Sequence, residues 1–161
     1  MSTTHAVRTC LWFAKDGLDA ARRYVELIPN SGLETPVPAE GAPEPLIVLF
    51  HLNGVPFSIL NGGPHYTLSP AASIVVSTPD QAETDRLWDA LCEGGAPSRC
   101  GWLVDRFGVS WQIVPEALPR LLGAADRAAA GRAMQAMLQM GKLDTAALEA
   151  AFRGEGAGEG V

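Results

Sequence analysis

Three histidines, three cysteines and one acid–arginine turn are the side chains with which this sequence could move a proton, attack a carbonyl or bind a metal. His65 follows Gly62-Gly63-Pro64 in a loop, the kind of segment that carries function on a rigid scaffold, and is kept as a candidate. His51 precedes Asn53-Gly54 within a strand and reads as a half-buried structural residue, and His5 reads as solvent-exposed. The cysteines Cys10, Cys92 and Cys100 are odd in number and contain no CxxC pair, which argues against a disulfide framework or a zinc knuckle and for reduced thiols in a cytoplasmic protein. Asp105-Arg106 reads as a solvated turn pair, and Met134, Met137 and Met140 fall at helical spacing that suits packing or a dimer face.

The elements that must position these groups follow from periodicity and turn chemistry. Val7 to Phe13 reads as a strand, and Asp16 starts a helix whose apolar positions Leu18, Ala21, Tyr24, Val25 and Ile28 recur until Pro29-Asn30. Leu33 to Glu44 is Pro-rich and leaves room for a short edge strand. Leu46 to Leu52 and Val55 to Leu60 flank Asn53-Gly54, a two-residue hairpin signal. The order then restarts: Ala72 to Ser77 is a strand, Pro79-Asp80 opens a helix carrying Ala82, Leu87, Trp88 and Leu91, and Cys100 to Val104 pairs with Val109 to Val114 across the Asp105 to Gly108 turn. Beyond Pro115 the chain turns Ala-rich, with helices expected over Leu118 to Leu122, Asp126 to Met140 and Asp144 to Phe152, before a Gly/Glu-rich, disordered tail over 154–161.

A chain of 161 residues, 47% hydrophobic and 19% charged, can bury a core. Its 17 Gly and 12 Pro punctuate apolar runs and so imply turns. With 12 Lys and Arg against 18 Asp and Glu, the net charge of −6 gives little affinity for phosphates, so nucleic acid is not an expected partner. No window approaches the roughly 18 apolar residues of a membrane span, and Met1 to Thr9 lacks an apolar leader, so export and membrane insertion are not expected.

The repetition can be written residue by residue. Setting Tyr24 on Trp88 also matches Asp16 to Asp80, Leu27 to Leu91 and Thr9 to Ser73. Setting Gly54 on Gly108 matches Val55 to Val109, Phe57 to Trp111, Ser58 to Gln112 and Ile59 to Ile113. Two matches in the same order indicate an internal duplication, with extra loop around Thr35 to Pro45 in the first copy.

The run from Cys100-Gly101-Trp102 through Asp105-Arg106-Phe107-Gly108 to Trp111-Gln112-Ile113-Val114-Pro115 resembles the signature of the PhnB-like family of the vicinal oxygen chelate superfamily, which includes glyoxalase I and the bleomycin-resistance proteins. Leu11-Trp12-Phe13, Asn61-Gly62-Gly63-Pro64, Gln81 to Trp88 and Ala133 to Met137 extend the resemblance over nearly the whole chain. It implies an α+β fold of two βαβββ modules, about 5–62 and 70–115, whose sheets curl around a cavity within a domain spanning 1–115, with a helical extension over 116–153 and a homodimeric assembly.

Metalloenzymes of that superfamily place ligands on the opening and closing strand of each module. Carried over through the duplication, those positions are Thr9, Ser73, Ser58 and Gln112. Three hydroxyls and an amide lack the charge and basicity that strip water from a divalent cation, so no metal and no other cofactor is expected. Strand alternation places Ser110 and Val114 on the side of Gln112, and Val75 and Ser77 on that of Ser73. A short hairpin loop would put Trp102 opposite Gln112 and Cys100 opposite Val114. Apolar walls with a few polar groups suit a small molecule.

The expected function is therefore binding of a small aromatic or apolar molecule by Thr9, Ser58, Ser73, Gln112, Trp102, Cys100 and His65. The alternatives are a metal-independent lyase, isomerase or transferase on the same scaffold, and an interaction module working through its C-terminal helices. PhnB-like proteins often carry a demethylubiquinone methyltransferase label, but a nucleotide-like cofactor needs a glycine-rich turn between first strand and helix, and Phe13-Ala14-Lys15-Asp16-Gly17 is not one.

Overall fold

The computed structural model describes residues 5–155, which divide into two compact units meeting in sequence at Leu68 and Ser69. The first contains β1 (Thr9–Phe13), α1 (Gly17–Leu27), β2 (Gly32–Leu33), β3 (Ile47–Leu52) and β4 (Val55–Asn61). The second contains β5 (Ile74–Thr78), α2 (Gln81–Cys92), β6 (Ala96–Pro97), β7 (Trp102–Val104) and β8 (Ser110–Pro115), followed by α3 (Ala117–Leu122), α4 (Arg127–Leu138) and α5 (Thr145–Arg153).

Each unit forms one four-stranded sheet, and the strand orders are the same: β1-β4-β3-β2 and β5-β8-β7-β6, with the opening strand parallel to the closing one. This is the expected duplication. Asn53 and Gly54 both take positive φ, 45° and 79°, as a tight hairpin turn twisted to match its strands requires.

In unit 1 the helix covers the sheet face of Val48, Phe50, Phe57 and Ile59; Phe50 stacks on Phe57 at 5.5 Å and lies 6.4 Å from Tyr24 of α1. In unit 2 the helix covers Leu103, Trp111 and Ile113, all fully buried, and the Thr78 and Thr84 hydroxyls pair at 2.6 Å beneath it. Neither sheet's other face meets its own unit's βαβββ helix, and those open faces carry the candidate residues.

Helix starts are served in two ways. Asp80, Asp126 and Asp144 cap α2, α4 and α5 with their own carboxylates, accepting from the backbone N–H three residues on. Asp16 instead sits at φ 65°, and the first N–H groups of α1 reach outward: Gly17 donates to Asn61 Oδ1 at 3.0 Å, and Asp16 and Leu18 donate to the Glu44 carboxylate at 3.1 and 2.8 Å. The loop that unit 1 has and unit 2 lacks thus delivers the acid that closes α1.

Three expectations change. β7 starts at Trp102, not Cys100, because Cys100 and Gly101 both take positive φ, 57° and 83°, and leave the ladder. The edge strand of unit 1 is Gly32–Leu33, ahead of the Pro-rich stretch. Gly154 and Glu155 belong to the end of α5, donating to Ala151 and Ala150, while the rest of the expected tail, 156–161, lies outside the described residues.

The extension belongs to unit 2. Leu118, Leu121, Ala133, Leu143 and Leu148 form its core, with Val114 of β8, Met137 and Met140 packed against it. Cys100 and Gly101 donate backbone hydrogen bonds to Met140 and Gly141, both at 2.8 Å, and the Gln81 carboxamide of α2 holds Leu143 O and Thr145 N at 3.0 and 2.8 Å.

Candidate functional site

On unit 2 the strand register sets Trp102 opposite Gln112 on one side and Val75 opposite Gln112 on the other, so all three side chains rise from the same face. Gln112 Nε2 donates to Ser73 Oγ at 2.9 Å. Ser110, two residues before Gln112 and paired with Val104, shares the face and is 3% exposed; its hydroxyl has no hydrogen-bond partner. Val75 and Val104 supply the apolar surround, Val75 being 56% exposed, while Val114, further along the strand, packs against the C-terminal helices. No described strand of this sheet presents an ionisable side chain on that face.

The open face of unit 1 has a different chemistry. Cys10 stands beside Ser58 and Trp12 beside Leu60. Trp12 donates its indole N–H to Gly63 O at 2.8 Å, Tyr66 meets the ring edge-on at 4.8 Å, and His65 lies 6.5 Å away, so the Gly62-Gly63-Pro64 turn folds two aromatic side chains over the tryptophan. At the β2 edge, Arg8 pairs with Glu34 and donates to Phe57 O at 2.9 Å, while His51 Nδ1 lies 3.6 Å from Glu34. Desolvation pushes the Glu34 carboxyl up, but Arg8, with His5 and His51 behind it, outweighs that and leaves its pKa below the usual carboxylate value.

The family described as 3-demethylubiquinone-9 3-methyltransferase matches residues 5–114. The chain belongs to it. Among solved structures, a PhnB protein from Bacillus cereus, provisionally labelled with the same activity, is 26% identical with a TM-score of 0.60 over 69% of this chain and 99% of its own. Protein PA1353 from Pseudomonas aeruginosa, at 22% identity and TM-score 0.56, covers 70% of this chain and 98% of its own, and shares the fold. So does the fosfomycin resistance protein FosX from Mesorhizobium loti, at 15% and 0.51 over 77% of this chain and 100% of its own. No curated protein matches the chain. The fold is that of the glyoxalase/bleomycin-resistance proteins, and the C-terminal helices begin where the family match ends.

Within unit 2 the structure brings Ser73, Gln112 and Trp102 together and leaves Cys100 outside the ladder; within unit 1 it turns Thr9 to the helix side of its sheet. Thr9 pairs with Phe57 and therefore shares its α1-facing side; Cys10 is the residue beside Ser58. The strand correspondence is one residue longer than the helix correspondence, so Thr9 matches Ile74, and Ser73 matches Arg8. Cys100 leaves the sheet at its left-handed backbone and is held by Met140 O. Ser58 and His65 stand in unit 1, His65 exposed beside Trp12.

The corrected positions still suit no divalent metal. Cys10 and Ser58 on one unit, and Val75 and Gln112 on the other, offer one soft thiol among a hydroxyl, an amide and a hydrocarbon. The described residues include no group of three His, Cys, Asp or Glu side chains able to hold an ion.

Asp105 corrects the sequence reading in the other direction. It is 5% exposed, not solvated, and its carboxylate accepts from Phe107 N, Val109 N and Trp111 Nε1 at 2.9, 3.0 and 2.9 Å. The acid at the centre of the family signature organises the hairpin that aligns Trp102 with Gln112. Strand alternation in the sequence places Ser110 on the side of Gln112 without singling it out, and it offers Cys10 as the only ligand among the neighbours of the four metal positions, the residue that the register sets beside Ser58; Glu34 has no such signal.

Proposed function

We propose that this PhnB-like chain is a metal-independent binding protein for a small aromatic or otherwise apolar molecule, received on the open face of the unit 2 sheet. The observation that carries the reading is the Trp102–Gln112–Ser73 arrangement: an indole and a hydrogen-bonded carboxamide at one register level, flanked by valines. An aromatic wall contributes buried area, and a few polar groups fix orientation. On unit 1, Ser58, Trp12 and His65 form the corresponding surface.

The methyltransferase label draws no support from the strand–helix turn. The N–H groups that open α1 are bound by the Glu44 carboxylate and Asn61, which occupies with negative charge the place where a helix start would receive a phosphate. The reading is of a cytoplasmic homodimer without nucleic-acid or membrane partners. The net charge of −6 disfavours a nucleic-acid partner, and no described helix is long and apolar enough to cross a membrane.

Native mass spectrometry of the freshly purified full chain tests this. The expected spectrum is a dimer carrying an organic mass and no stoichiometric metal. A stoichiometric divalent ion overturns the reading.

A further inference from the structure

Among the described residues, Ser110 is the one polar side chain on this face of unit 2 that is both buried and unpaired. Its hydroxyl is shielded, has no hydrogen-bond partner, and stands at the register level next to Ser73, two residues from Gln112. Leaving a hydroxyl in that condition is unfavourable, because it gives up its hydrogen bonds to water and gains none in return. An alanine would fill the same space without the penalty, so the hydroxyl has no account in the fold's own packing.

Ser73 accepts from Gln112, which leaves the Ser73 O–H proton available as a donor on the same face. Two hydroxyl protons therefore rise from neighbouring strands, one at the half-buried level and one deeper. Gln112 turns about three side-chain bonds and is held on this face by a single hydrogen bond, so its carboxamide can swing aside to admit a ligand atom. Because no described strand of this sheet presents an ionisable side chain on the face, an ionised ligand group would be buried there without a counter-charge from the strands, which is strongly unfavourable.

We infer that Ser110, with Ser73, receives the oxygen of an uncharged carbonyl group on the aromatic ligand, and that Ser110 sets specificity against ligands lacking that oxygen. This rests on the unit 2 face being the binding surface. A site built to hydrogen-bond an oxygen rejects the analogue without it, because its own buried group then stays unpaired.

The test uses three probes of similar size: acetophenone, ethylbenzene and benzoate. Each is titrated into the full-length wild type, Ser110→Ala and Ser73→Ala, following amide shifts of Trp102 and Gln112, with melting temperatures measured in parallel. Acetophenone should bind the wild type most tightly. Each substitution should weaken it about three- to tenfold, the factor expected for one neutral hydrogen bond, and leave ethylbenzene unchanged or tighter. Ser110→Ala should melt no lower than the wild type, because it removes an unpaired group.

Equal loss of acetophenone and ethylbenzene, no loss of either, tightest binding of benzoate, or a lower melting temperature for Ser110→Ala would each overturn the inference while leaving a binding face in place. If no probe shifts Trp102 or Gln112 in any variant, both this inference and the functional reading fall.

Discussion

Trp111 donates its indole N–H to the Asp105 carboxylate at 2.9 Å, six residues back across the hairpin turn, and both side chains are buried. The other carboxylate oxygen takes the backbone N–H groups of Phe107 and Val109. One acid thus fixes the turn, the tryptophan and the register in which Trp102 faces Gln112.

Removing it has a predictable size. Asp105→Ala takes the acceptor from three N–H groups and should destabilise the chain by about 2–4 kcal/mol. Asp105→Asn should lose most of the same stability, because an amide cannot accept from all three donors. Trp111→Phe, which removes one of the bonds, should lose less than Asp105→Ala. Urea denaturation of the three variants gives the order, and Asp105→Asn matching the wild type would contradict it.

The clasp between α2 and the extension invites a second measurement. Gln81 bridges Leu143 O and Thr145 N, and Lys142 pairs with Asp85 at 3.0 Å and Asp89 at 3.6 Å. Gln81→Ala should cost about 1–2 kcal/mol and speed amide exchange over 145–153 more than over α1. Uniform acceleration across the chain would show that the clasp is not local.

Gly62 makes a third. A Cβ there would stand 2.3 Å from the Trp12 ring, so Gly62→Ala must push the indole off Gly63 O or shift the turn. A loss of about 1–3 kcal/mol and a changed tryptophan emission are expected. Gly41→Ala, in a turn with open space around it but φ 81°, should cost less and leave emission unchanged.

Much of this was legible in the residues. The duplication, the Asn53-Gly54 hairpin and the three C-terminal helices have strong local signals, and the strand order follows once the repeat is seen. The metal positions were displaced because Asp16 and Asp80 look alike in sequence yet do different work. Asp80 caps its own helix, whereas α1 is closed by Glu44 and Asn61 from 28 and 44 residues away, and its lead-in is one residue longer. One residue of slip carries a strand side chain to the other face, which is why Thr9 was read in place of Cys10. Asp105 looks solvated in the sequence because nothing local announces that an indole six residues on will bury it.

The charged corner of unit 1 gives a pH-dependent prediction whose sign is fixed by Glu34. Its pKa lies below the ordinary value in the folded chain: burial raises it, and Arg8, His5 and His51 together lower it further. A carboxyl depressed on folding adds stability at pH values above its unfolded pKa, and that contribution disappears as pH falls through the folded pKa. Glu34 is a quarter exposed, so solvent screens the pair and the contribution stays at about 1 kcal/mol or less. Glu34→Gln should therefore be less stable than the wild type at neutral pH, and the gap should close as acid protonates the native carboxyl, below the usual carboxylate range. Paired denaturation curves from pH 7 down to about pH 3 read this directly. A gap that stays constant, or widens in acid, would show that Glu34 acts through its shape and not its charge.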